Sequence, residues 1–377
     1  MNFTVETSPH IRRKASIKSM LGDVLIALLP CVIFSCGYGW AGIKNLLIPL
    51  VVMELAELIF VLIKGKGKLV GYRASNALGA AVSAIIFGLM MEPRSAAMQG
   101  MEYFYLVAGS AFGIIVAKLL FGGFGQNIFN PAAAGFVFTK ICFGASWSGA
   151  YAVNGWISLF GLDTSLSTGA TYLSSSPLIH ASSYSFLDLF LGNTAGAMGE
   201  VCKAAILLGL VYMLIRRVAD WRVVVSYGCT FALLSLLAGI FARSGDNAFE
   251  FALYQLLSGG MLFGLTFMIT DPVTMPIDAP ARVTYGMIAA ILALFMRLFA
   301  SNPEGVAYGI LIANGVSAFL DHYKWAHSRY SWKDFLTYGI IAAAAILIVC
   351  LATNSRSASL KEEELNEAAS LILKGGK

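Results

Sequence analysis

"VVMELAELIF", residues 51–60, sets two carboxylates inside an apolar run that extends over residues 45–63. A bilayer core needs about 20 mostly apolar residues per helix, so this stretch has the length of a transmembrane span. Glu54 and Glu57 lie three residues apart and share one helix face. A charge at mid-membrane costs about 2.5–3.5 kcal/mol on insertion scales, so the pair needs a reason. An ion path and a structural network are both open.

Similar runs recur along the chain, near 21–38, 75–91, 103–121, 131–145, 198–215, 223–242, 252–270, 283–299, 305–320 and 335–353. With 377 residues, 58% hydrophobic and 12% charged, the composition cannot clothe a soluble surface. The predicted fold is all-α: a polytopic membrane protein of about ten core transmembrane helices, open to division into two five-helix repeats, plus one extra C-terminal helix. The runs at 103–121, 131–145 and 305–320 are short or rich in Gly and Ala, and one of them could be re-entrant. The first run follows "IRRKASIK" but carries Asp23 and lacks a clear small-x-small cleavage site, so it reads as a retained helix.

Charge gives the expected orientation. Arg12, Arg13, Lys14, Lys18, Lys64, Lys66, Lys68, Arg73, Arg216, Arg217, Arg222, Arg282, Lys324, Arg329 and Lys333 fall in alternate connections, as cytoplasmic loops require. The longest break, Ser146 to Gly199, has no Lys or Arg and is expected outside. The net charge of +5 is therefore a topology signal, with no nucleic-acid footprint in it. The expected organisation is a cytoplasmic segment at 1–20, helix groups at 21–145 and 199–322, an extracytoplasmic loop at 146–198, and a loop, extra helix and tail at 323–377.

Cys31, Cys36, Cys142, Cys202, Cys229 and Cys350 lack C-x-x-C spacing and read as small buried hydrophobes. His10, His180, His322 and His327 read as surface residues, and no metal site is expected. Lys118 and Lys140 are open to a functional role or to snorkelling to an interface, the latter being the favoured reading for Lys140. Asp271, in "FMITDPVTMP", either caps a helix that Pro272 ends or lines a cavity and an ion path.

"GGFGQNIFNPAAAG" at 122–135 and "LSGGMLFGLTFMITDP" at 257–272 interrupt apolar segments in the two halves. Such breaks are tolerated at membrane depth only against protein or a polar cavity. Gly125, Asn127, Asn130, Gly259 and Gly260 are the candidate walls of that cavity. Close helix packing explains the glycines equally well.

With "SPHIRRKAS" at 8–16, "GNTAGAMGE" at 192–200 and "NPEGVAYGILIANG" at 302–315, these motifs resemble the D subunit of the Rnf electron-transport complex and its relative, the B subunit of the sodium-pumping NADH:quinone reductase. The short stretch before Ser8 favours the former. The resemblance implies that in "STGAT" Ser167, Thr168, Gly169 and Ala170 form a motif whose last residue, Thr171, carries FMN through a phosphoester. Gly169 and Ala170 would leave room for a flavin transferase to reach the hydroxyl. The family's Asp six residues before the threonine is replaced by Ser165, with Asp163 two residues further away.

The resemblance also implies an enzyme subunit of the cytoplasmic membrane, in a complex that moves electrons between ferredoxin and NAD and translocates sodium or protons. A second, non-covalent flavin, riboflavin or FMN, would sit among the helices. The flavinylated G subunit and the membrane A and E subunits are the implied partners. No nucleotide-binding fingerprint appears in the chain, so ferredoxin and NAD would meet other subunits. A secondary transporter or channel without redox chemistry is the competing class. The tail 357–377, with Leu360, Leu365, Leu371 and Leu373 among charged residues, reads as an amphipathic helix.

Overall fold

A computed structural model describes residues 16–68, 72–92, 100–147, 185–192, 194, 196–242, 247–299, 305–322 and 330–375. The described residues are helical, without strands. The first group contains α1 (Ile17–Cys36), α2 (Trp40–Lys64), α3 (Ala74–Met90), α4 (Gly100–Ile114), which runs on as a π turn over Ile115–Leu119, and α5 (Pro131–Trp147). The second contains α6 (Phe186–Leu191), α7 (Met198–Val201), α8 (Lys203–Ile215), α9 (Trp221–Ala242), α10 (Ala248–Leu257), α11 (Met261–Phe263) with a π turn over Gly264–Met268, α12 (Ala279–Phe299) and α13 (Gly305–Leu320). α14 (Trp332–Gly375) follows.

Among the described residues, α1, α2, α9, α12 and the Trp332–Arg356 part of α14 are long and apolar enough to cross a membrane. α10 and α11 with its π turn make a sixth candidate if their pair, bent by 58°, is one span. α3, α5, α8, α13 and Tyr103–Leu119 are shorter apolar helices. The bend lies within "LSGGMLFGLTFMITDP", the interruption expected in the second half, whereas the sequence puts the re-entrant possibility on the fourth, fifth or tenth span. Gly259, at φ +56, supplies the turn there. The tail is helical, as expected, and continues α14 without a break.

The bundle packs by backbone approach. Pro49, inside α2, cannot donate to the Asn45 carbonyl one turn earlier. That carbonyl faces Gly88 of α3, where a Cβ would lie 2.4 Å from it. Gly113 and Gly135 bring α4 against α5, and Gly305 and Gly309 do the same for α13 against α12. α2 packs on both α3 and α4 as α9 packs on α10 and α12, while α1 meets α8 and α5 meets α13 across the two groups. At one end Arg216 grips Asp23 through two contacts of 3.2 Å, with the Tyr212 hydroxyl donating to the same carboxylate at 3.0 Å. Arg222 and Arg282 share Asp220 nearby. This basic end holds the starts of α1, α3, α5, α9 and α12.

Cysteine placement corrects another expectation: only Cys31 is buried, while Cys36, Cys142 and Cys229 are exposed on the apolar surface. All six are free.

Candidate functional site: a cavity between two interrupted helices

Both π turns lead into irregular segments, and the two segments meet. A π turn adds a residue to the helical repeat and shifts the carbonyls that follow, a device common at functional sites. Leu120 N–H donates to Ile115 O and Ile269 N–H to Gly264 O, each at 2.9 Å. Beyond the first, Gly122, Gly123 and Gly125 take positive φ and turn the chain back toward α5. There Asn130 Oδ1 accepts from the Ala132 and Ala133 amides at 3.0 and 3.3 Å, the cap of that helix. Its Nδ2 donates to the Met268 carbonyl at 3.4 Å, across 138 positions of sequence. One asparagine thus starts α5 and ties the first break to the second.

Between the breaks lies a cavity of about 300 Å³. Its apolar walls come from α1 (Ile17, Met20, Leu21, Val24), α3 (Val82, Ile86) and Phe267. Its polar side chains are few: Ser83, Lys118, Asn127, Asn130, Thr270 and Asp271. Such a volume, mostly apolar with a handful of placed polar atoms, is that of a small-molecule site. Asp271 accepts from the Val273 amide at 3.1 Å, so it both caps a turn and faces the cavity. Asn127 Nδ2 donates to Phe129 O at 3.3 Å. Gly79 stands where a Cβ would meet the Phe124 ring at 2.6 Å, and Gly125 opens onto free space.

Both lysines are ion-paired inside the bundle, which corrects the snorkelling favoured for Lys140 and settles the open reading of Lys118 against it. Lys118 is buried and forms an ion pair of 2.9 Å with Glu57, which also accepts from Asn76 Nδ2 at 3.0 Å. Its ammonium stands over the Phe124 ring, 5.5 Å from the centroid. Lys140 pairs with Glu92. Glu54 is half-buried beside this network.

The five candidate wall residues divide. Gly125, Asn127 and Asn130 line the large cavity, whereas Gly260 lines a second one of about 10 Å³ near Glu200 and Phe263. Gly259 lines neither, because it is the hinge of the bent pair. Ser167, Thr168, Gly169, Ala170 and Thr171 lie outside the described residues, as do His10, His180 and His327. The sequence reading missed Gly79, Phe124 and the N-terminal turns of α1. It also passed over Glu92, Glu200, Lys203 and Arg297, whose signal was available as charge within apolar runs.

A planar amphipathic ring system with carbonyl and N–H edges fits this donor set. Apolar walls suit its hydrocarbon part, the Asp271 carboxylate can accept from an N–H, and Lys118 and the two asparagine amides can donate to carbonyls.

The model of the "NQR2, RnfD, RnfE family" matches residues 4–328. This chain belongs to that family. The D subunit of an ion-translocating oxidoreductase complex from Alcanivorax borkumensis is 29% identical over 86% of this chain and 95% of that protein. The D subunit of the Na(+)-translocating ferredoxin:NAD(+) oxidoreductase complex from Acetobacterium woodii is 30% identical over 86% and 94%. The B subunit of the Na(+)-translocating NADH-quinone reductase from Chromohalobacter salexigens is 33% identical, over 57% of this chain and 52% of that protein. Family membership and the apolar helices make this a multi-pass membrane protein. The matched region ends before α14, so that helix is an addition to the family's part.

Proposed function

We propose that this chain is the flavin-carrying membrane subunit of an Rnf-type complex, which passes electrons between ferredoxin and NAD and couples them to sodium or proton translocation. The observation that carries the reading is a match to D subunits over nearly their whole length, against about half the length of the reductase's B subunit. The role of that reductase component is the second reading.

Thr171, the last residue of "STGAT", is the proposed attachment point of FMN. A flavin supplies the one- and two-electron chemistry that side chains lack. The loop 146–198 is placed outside the cytoplasm, because the basic end of the bundle belongs inside. In this arrangement the short apolar helices cross together with the long ones, giving a core of about ten spans, since buried neighbours satisfy what lipid would not. The G subunit would exchange electrons with the covalent flavin, and the membrane A and E subunits would flank the bundle.

The cavity is the proposed seat of a second, non-covalent flavin, riboflavin or FMN. Phe267, Ile86 and Val24 would flank its ring and exclude water. Asn127, Asn130 and Asp271 would orient its polar edge, and the Lys118 ammonium would favour added negative charge there. Glu54, Glu57 and Asp271 form the proposed route of the coupling ion toward this site.

Co-expression with a flavin transferase tests the reading. A fluorescent band at this chain's position in a denaturing gel under ultraviolet light is expected. A dark band would favour a transporter or scaffold without redox chemistry.

A further inference from the structure

The helix broken at Gly259 and Gly260 ends among buried side chains, and its free carbonyls are held in an unusual way. The last four carbonyls of a helix lack intrahelical partners and carry partial negative charge. At the end of α10, the Ser258 amide donates to Tyr254 O at 2.7 Å. The next carbonyl, Gln255 O, accepts from Arg297 Nη1 at 2.6 Å. Gly259 O accepts from the Lys203 ammonium at 3.2 Å, and the same ammonium takes Glu200 O, exposed where Cys202 breaks α7 from α8. Two tethered cations therefore sit on a set of main-chain oxygens.

Both are withdrawn from solvent, Lys203 at 3% and Arg297 at 1% exposure. Among the described residues Arg297 Nε and Nη2 and both amide atoms of Gln255 meet no hydrogen-bond partner. Structural need alone does not explain this, since a buried cation with unmet donors costs more than the apolar side chain that could replace it. The Glu200 carboxylate lies against the break, where a Cβ on Gly260 would come 2.4 Å from Oε1. It also lines, with Gly260 and otherwise apolar neighbours, the cavity of about 10 Å³, which adjoins the carbonyls at the break without including Gly259 or Lys203. Unwound carbonyls and half-helix C-termini coordinate sodium or protons in many transport proteins, and here a carboxylate stands beside them.

We infer that the oxygens of Glu200 and Gly259 form a monovalent-cation site at the end of the bundle opposite the large cavity, in which the Lys203 ammonium substitutes for sodium in this structure. The inference rests on the ion-translocating reading of the chain and adds to it a release site. Sodium arriving at the break displaces Lys203 from the carbonyls, and Lys203 returning expels sodium. Glu200 offsets either cation, so net charge in the site stays constant through the exchange.

Binding is measured on the full chain purified in detergent, without electron flow, so the outcome is independent of the redox assignment. Lys203→Gln removes the tethered cation, and its thermal midpoint should rise saturably with sodium chloride but not with choline chloride. Adding Glu200→Gln should abolish that rise. The inference is overturned by a Lys203→Gln chain indifferent to sodium, by a rise that survives Glu200→Gln, or by a rise produced by acid alone, which would make the occupant a proton. Lys203→Arg keeps a charge in place and guards against a variant that does not fold. In vesicles of the assembled complex it should cut sodium uptake per electron transferred to background with covalent flavin unchanged, and undiminished uptake would equally overturn the site.

Discussion

The Lys118 ammonium lies 2.9 Å from a Glu57 carboxylate oxygen, and both side chains are buried between α2, α3 and the first π turn. Removing one partner of a buried pair leaves an uncompensated charge, at a cost of about 3–5 kcal/mol, whereas removing both leaves none. Lys118→Met alone should therefore lower the thermal midpoint in detergent more than Lys118→Met with Glu57→Leu. Equal losses would mean that the two groups do not depend on each other.

The carboxylates are also the proposed entry of the coupling ion. Gln at both Glu54 and Glu57 should weaken ion uptake into vesicles driven by the assembled complex more than it weakens flavin content. Unaltered uptake would confine both residues to the buried network with Asn76 and Lys118.

Filling the cavity separates the two proposed flavins. Gly79→Leu drives a side chain into Phe124 and toward Lys118, whose Nζ would be 3.6 Å from the new Cβ. Flavin released by acid extraction should fall, while the covalent band in the gel persists. A full complement of extractable flavin in this variant would place the second flavin elsewhere.

Asn130 performs two tasks that substitution can divide. Asn130→Ala loses the cap of α5, about 0.5–2 kcal/mol, together with the tie to Met268. Asn130→Asp keeps an acceptor for the Ala132 and Ala133 amides but cannot donate to the Met268 carbonyl. The alanine variant should melt lower than the aspartate variant, and both below the parent chain; a parent-like Asp variant would show that the tie between the breaks is dispensable.

Much of this architecture was legible in the sequence because lipid imposes a simple rule: apolar runs of sufficient length become helices. The Gly- and Asn-rich breaks were legible for the same reason, since non-helical backbone needs a polar or protein-lined refuge. Partner choice was not legible. Lys118 is separated from Glu57 by 61 positions, and nothing in a local pattern tells a paired lysine from a snorkelling one. Gly259 and Gly125 look alike in sequence, yet one is a hinge and the other a cavity wall. The same holds for Lys203, whose carbonyl partners exist only because two helices are interrupted at one level.

The proposed orientation rests on the charge asymmetry and is open to direct labelling. A cysteine placed at Ser174 should react with an impermeant thiol reagent in intact spheroplasts. Labelling only after lysis would invert the bundle and put the loop 146–198 in the cytoplasm.

The central claim is that this chain carries its own covalent flavin at one threonine. Intact-mass measurement and in-gel fluorescence of the chain and of Thr171→Ala, both co-expressed with a flavin transferase, test it most directly. The account predicts one FMN on the parent chain and none on a variant that still inserts in the membrane. An unmodified parent, or flavin retained by Thr171→Ala, would contradict it, and in the latter case Thr168 is the next hydroxyl to replace.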